Sequence, residues 1–419
     1  MPSFDPTLPS IQFPLFGNSL AVAVPSLLHI LLAGLSVGFM MLAPILEWRG
    51  RSNSFYTELA HSITRFTVVV FSASTVLAVI MVELLIGLFP VTTMWMWNQF
   101  RGPIALAVAA FLLQFGALYP YYHCWDFIRR RRPTLHLAMG AVAALLMLIW
   151  VLVLDGMGSY MLTPVRSTAS WRNLVNPTWL PLALHRFVGN LVMAGYVIAA
   201  YGAWRAGRPR DHADESYYLS LVNVGWVIGL ASLLLQPFTG LLYAWTVEQV
   251  APSAYDQIVR GPYQYLAYMQ FSLIGLLIIG NHLMLHAAGR TGARPRWLDA
   301  GMAVVVALMI ASVGHPDIRR AFLYLLVGLS VWSVWKASPR FRFPFDHGFG
   351  AWGRSLTVSL GILSVLIYLT MGTIRETARR PDTVRSLISL QDEAEHPAAF
   401  RNDARSAPVQ STLDAKEGH

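Results

Sequence analysis

The 419-residue chain has little of what builds soluble or secreted domains. It holds one cysteine, Cys124. That excludes a disulfide framework, a thiolate-ligated iron–sulfur cluster and a CxxCH site for covalent haem c, and Cys124 reads most simply as a helix-end residue. Charged residues make up 13% of the chain, about half of the roughly 25% usual in soluble domains. Residues 1–16 contain no basic cluster, and the first long apolar run continues past Phe39. No cleavable signal is therefore expected, and the first helix is retained. The longest polar connections, near 155–179, 245–264 and 337–352, are too short to build a catalytic domain of their own. Internal repeats are not evident, nor is the paired pattern of broken helices found in many transporters.

Apolar sequence is abundant. Hydrophobic residues reach 55%, with 14 tryptophans and a mean hydropathy of +0.49. Runs long enough to cross roughly 30 Å of hydrocarbon fall near 21–46, 62–88, 102–125, 135–154, 180–204, 217–244, 265–287, 297–314, 318–336 and 353–374. The expected fold class is all-α, a polytopic transmembrane bundle of about ten spans. Residues 1–20 precede it, 21–290 form its core, and 291–352 add two helices and a loop. Residues 353–382 carry the last span, and 383–419 form a polar, flexible tail.

Basic residues orient the bundle. They cluster at Arg49 and Arg51, at 129–132, at Arg205, Arg208 and Arg210, at Arg290, Arg294 and Arg296, and at Lys336, Arg340 and Arg342. Their even alternation follows the positive-inside rule. It predicts a multi-pass protein of a prokaryotic cytoplasmic membrane with its N-terminus outside. Arg375, Arg379, Arg380 and Arg385 run against that rule at the last span, so they need a local anionic partner or the helix count is off by one. The net charge of +9 is spread over short connections, so anionic lipid headgroups account for it better than nucleic acid does.

An ionisable group in an apolar slab is unfavourable unless it pairs, ligates or reaches water. His29, His185 and Glu376 stand out on that criterion. His29 lies in SLLHILLAGLSVGFMMLAP, followed by Ala33, Gly34, Ser36 and Gly38, which would admit a flat group or a close helix. His185 ends NPTWLPLALH, with Gly189 one turn further on the same side. A neutral imidazole can ligate haem iron while donating its other N–H to a carbonyl; a hydrogen bond to a neighbouring helix is the plainer alternative. Met269 begins the seventh span and offers a thioether. Glu376, in GTIRETARRP, could ligate iron, relay protons or pair with Arg375, Arg379 or Arg380, and those arginines suit haem propionates.

Glu83 is a proton-relay candidate near the outer end of the second span. His282 and His286, four residues apart, could serve an inner haem or quinone site or anchor the surface. His61, Arg65 and His315 fit ordinary interface roles. Gln114 is the one strongly polar side chain deep in the third span.

With these flanks in view, the chain resembles subunit I of the cytochrome bd quinol oxidase family over about 20–290 and 365–382. NPTWLPLALH is similar to the family's NPxxxxxxxH, whose histidine ligates the low-spin b haem. RGPIALAVAAFLLQ resembles GxPLAxEGxxAFFxE, CWDFIRR resembles GWDRL, and ETARRP resembles ExGRQP, whose glutamate ligates a high-spin haem. The resemblance implies two or three b-type haems held by His29, His185 and Glu376, with Met269 as a further axial ligand.

The chain also departs from the family pattern. Ala107 and Gln114 or Phe115 stand where the family has third-helix glutamates. Met269 requires an altered spacing to Gly275, because a gap-free match places Leu273 there. Only about twenty residues, 245–264, replace the long quinol loop, and two spans intervene before the Glu376 motif. The resulting expectation is an electron relay between quinone or quinol and an extracytoplasmic redox partner. The expected partners are a second membrane subunit, an extracytoplasmic cytochrome, or both. A divergent quinol:oxygen oxidoreductase, using Glu83 or water for protons, is the first alternative. A haem-free transporter or scaffold is the second.

Overall fold

The computed structural model describes residues 17–165, 167, 169–287, 296–337 and 350–389. The chain runs α1 (Gly17–Arg49), α2 (Ser54–Leu88), α3 (Pro90–Gln99), α4 (Arg101–His123), α5 (Trp125–Arg131), α6 (Pro133–Tyr160) and α7 (Ser170–Leu174). It continues with α8 (Trp179–Ala206), α9 (His212–Val250), α10 (Pro252–Val259), α11 (Gln264–Ala287), α12 (Arg296–Ala311), α13 (Pro316–Ala337) and α14 (Ala351–Thr377). Among the described residues, nine helices are long and apolar enough to cross a membrane. The expected tenth, α12, has 16 residues, about 24 Å of helix and short of the slab. Arg290, Arg294, Arg340, Arg342 and the tail beyond 389 lie outside the described residues.

Lipid and side chains are equally apolar, so helices associate in a membrane through close backbone contact and hydrogen bonds. The α8–α9 pair shows this. A side chain at Gly195 would collide with the backbone of Gly229, and one at Gly225 with that of Ala199. Gly195 therefore serves helix contact rather than the His185 face. One core cluster joins α1, α2, α4 and α6, and a second joins α8, α9 and α11 to α14. Large apolar side chains left exposed on α2, such as Val69 at 62% and Val76 at 60%, suit a lipid-facing or subunit-facing surface.

After α14, at the start of the expected flexible tail, the chain turns into a two-stranded hairpin, β1 (Asp382–Val384) and β2 (Ile388–Ser389). Val384 and Ile388 are buried in the first core cluster. The Arg385 amide donates to the Met161 carbonyl at 2.9 Å, and its guanidinium donates to Ser253 Oγ at 2.6 Å. Two apolar side chains thus anchor a stretch whose composition reads as polar.

Candidate functional site

Between the two core clusters lies a cavity of about 1200 Å³. Its wall follows α11 from Ala267 to Leu285, about 27 Å along a helix. His29, His185, Arg186, Arg375, Glu376, Arg379 and Arg380 all line it, so it unites residues far apart in sequence.

His29 is held by α2. Its Nδ1 lies 2.8 Å from the Ser74 carbonyl oxygen and 3.1 Å from Ser74 Oγ. A carbonyl only accepts, so Nδ1 carries the hydrogen and Nε2 keeps its lone pair. That is the tautomer a metal-ligating imidazole needs.

The start of α8 positions His185. Asn176 is buried, and its Nδ2 donates to the Gly156 carbonyl at 3.0 Å; its Oδ1 accepts from Thr163 and Thr178, each at 3.2 Å. This ties Asn176 and Thr178 to the end of α6 before Trp179 begins the helix. Opposite His185, Pro237 lies inside α9 and removes one backbone donor there. A Cβ on Gly240 would lie 3.1 Å from His185 Cε1, so only glycine leaves the ring unpressed. The Tyr243 ring lies nearly parallel to His185, at 19° and 6.1 Å. Gln236 Nε2 sits 3.0 Å from Nδ1 and 3.3 Å from Nε2 of His185 and donates to the His185 carbonyl at 3.1 Å. Gln236 Oε1 is buried without a partner. The amide's bond to the His185 carbonyl keeps its nitrogen against the ring, so Gln236 holds the imidazole in place against α9.

Three guanidinium groups collect near the histidines. Arg186 pairs with Asp155, which is 1% exposed, and Asp155 Oδ2 has no hydrogen-bond partner. Arg375 reaches the wall of α6 because Gly158 has no side chain to block it. Arg379 pairs with Glu376 and donates to the Thr383 carbonyl at 3.0 Å, while its buried Nε lacks a partner. Cations outnumber the anions facing them here, so the site complements an anionic group.

The remaining expected residues separate. Met269 is 44% exposed and does not line the cavity. Its neighbour Gln270 does, with a buried, unpartnered Oε1. Glu83 is exposed on α2 and also lies off the cavity. Glu376 sits at the rim, its side chain 59% exposed, and the Arg380 carbonyl accepts from Gln257. His282 lines the far end of the cavity and contacts Asp299 at 2.7 Å. His286 lies in the last turn of α11, and its side chain is outside the described residues. Asp155, Arg186 and Gln236 were missed by the sequence reading, although Asp155 interrupts the apolar VLVLDG and meets the same criterion as His29.

A family profile described as cytochrome bd terminal oxidase subunit I matches residues 19–258, more than half of the chain. The chain belongs to this family. The match covers α1 to α10 except the first residues of α1 and the last of α10. The fold likeness reaches further: a chain in the structure of bd oxidase from Geobacillus thermodenitrificans aligns with a TM-score of 0.52 and 14% identity, covering 87% of this chain and 98% of that one. No curated protein matches. The chain is thus a multi-pass, bd-type membrane subunit related to respiratory oxidases.

Proposed function

We propose that this subunit binds b-type haem in its central cavity and relays electrons between quinone or quinol and an extracytoplasmic redox partner. The convergence of His29 and His185 on one apolar cavity carries the reading. At about 1200 Å³, the cavity exceeds the roughly 300–1,000 Å³ of a site for one drug-sized ligand, which leaves room for more than one haem. The residues fit the group: His29 has the ligating tautomer, the Gln236 amide holds the His185 ring in place, and Gly240 leaves space beside the ring. Arg186 and Arg375, with Arg379, would hold propionates. Glu376 would ligate only after its pairing with Arg379 opens. Met269 faces away and is left out of the ligand set.

Haem iron, when bound, supplies the one-electron chemistry. The protein fixes imidazole orientation, neutralises the carboxylates and keeps water from most of the wall. The end bearing Glu376 is the end of α6 that carries Gly158, because Arg375 lies against that glycine. The basic clusters before α6 argue that this end faces out, with the N-terminus, in a prokaryotic cytoplasmic membrane. A second membrane subunit would cover exposed apolar helix surface, and an extracytoplasmic cytochrome would dock near the Glu376 end.

Haem quantification in the purified protein, with His29→Ala and His185→Ala variants, tests the proposal. Each variant should lose a different reduced-minus-oxidised band. A haem-free wild type would refute the proposal and favour a transporter or scaffold. A quinol:oxygen oxidoreductase, favoured by the family's description as a terminal oxidase, predicts quinol-driven oxygen uptake without an added redox protein.

A further inference from the structure

A second buried polar cluster lies away from the cavity, at the end of the bundle that carries Arg49 and Arg129. Glu47, on the last turns of α1, is 4% exposed, and Tyr121 of α4 and His136 of α6 are fully buried. The Tyr121 hydroxyl donates to Glu47 Oε2 at 2.7 Å. His136 Nε2 lies 3.0 Å from the Tyr121 carbonyl oxygen, and Nδ1 lies 2.7 Å from Glu47 Oε1.

These contacts fix a proton count. The carbonyl only accepts, so Nε2 carries a hydrogen. The Nδ1–Oε1 contact is then a hydrogen bond only if one more proton is present, on Nδ1 or on the carboxyl. Without it, two lone pairs would face each other at 2.7 Å. The structure therefore depicts a loaded pair sharing one proton.

Solvent lies nearest on one side, beyond the end of α1. A surface pocket of about 410 Å³, lined by Gly50, Thr57, Glu58 and Arg129, begins one turn beyond Glu47. In the other direction the α4–α6 seam leads to the cavity. Tyr121, Gln114 and Ala107 repeat every seven residues on α4, as do His136, Ala143 and Trp150 on α6, and each interval is about 10 Å. Gln114 accepts from Trp150 Nε1, while its Nε2 is fully buried with no partner, which marks a place for a bridging water. Ala107 and Trp150 line the cavity. The titratable and charged groups around the cluster are His61 and Arg65 of α2 and Asp126 and Arg129 of α5. Thr64 lies beside the phenol, and the Trp125 ring packs on both His61 and His136.

We propose that Glu47, His136 and Tyr121 form a buried proton-binding site that loads from the arginine-rich end when the cavity gains an electron. One aqueous proton joins the Glu47–His136 pair, one N–H or O–H bond forms, and the electron comes from the reductant that reduces the haem. The redox coupling rests on the haem reading above; the proton site does not.

In haem-loaded full-length protein, reduced electrochemically in weak buffer with an indicator dye, proton uptake should fall by up to one per chain in Glu47→Gln. Infrared difference spectra should show carboxyl and imidazole bands that shift in D2O and vanish in that variant. Tyr121→Phe, which keeps the pair and removes only the phenol donor, should retain uptake with a displaced carboxyl band. A pH jump on the protein as purified, with no reductant added, should produce the same bands in wild type. Unchanged uptake and bands in Glu47→Gln, or a silent pH jump in wild type, would overturn the site; absence of haem would overturn only the coupling.

Discussion

Gly240 provides a graded test of the His185 pocket. An added Cβ would lie 3.1 Å from His185 Cε1 and 3.3 Å from Nδ1, against about 3.5–4.0 Å for an ordinary carbon contact. Gly240→Ala thus asks the ring to give way by a few tenths of an ångström. Gly240→Val adds methyl groups about 1.5 Å further out and forces a displacement that iron ligation does not tolerate. Overpacking of this kind costs about 1–3 kcal/mol, equivalent to roughly 5- to 150-fold in haem retention at tenfold per 1.4 kcal/mol. The assay is the pyridine haemochrome ratio of haem to protein, with the thermal midpoint as a control. The expected order is wild type, then Ala, then Val, with loss confined to the band that His185→Ala also removes. A Gly240→Val protein with its full haem content and unshifted bands would refute the placement of His185 against α9.

Asp155→Ala should destabilise the protein by up to about 3–5 kcal/mol, because Arg186 loses its buried partner and keeps only the propionate it would hold; Asp155→Asn, which keeps the shape and an acceptor oxygen, should recover part of the thermal midpoint. Met269→Ala should leave every haem band in place, whereas Gln236→Leu should shift the band assigned to His185, both read in reduced-minus-oxidised spectra. Val384→Asp, which places a carboxylate at a fully buried hairpin position, should lower the thermal midpoint and expose the 382–389 segment to limited proteolysis.

The spans were legible in the sequence because each is a long apolar run. Their ends were less so: the sequence suggested 217–244 where α9 runs His212–Val250, since a helix continues on capping and amphipathic residues after hydrophobicity stops. Asp211 illustrates this, with its side chain accepting from the Asp214 amide at 2.8 Å. The short helices α3, α5, α7 and α10 carry no crossing signal and were not anticipated.

At the site, buried polar residues were legible by type, but their facing was not. Successive helix positions differ by about 100°, which is why Met269 points away and Gln270 points in. The Glu47–His136–Tyr121 cluster was hidden for another reason. Glu47 and His136 each look like charges at the end of a span, and only the packing of α1, α4 and α6 brings them together. Gln114, noted as an isolated polar side chain, gains its meaning from Trp150 on the facing helix.

A map of the purified complex at a resolution that shows iron coordination would decide what fills the cavity. The predicted result is planar density between α1, α8 and α9, with iron at His29 Nε2 and at His185, and with carboxylates against Arg186 and Arg375. Lipid chains or water throughout that space, with both imidazoles bonded only to protein, would contradict it.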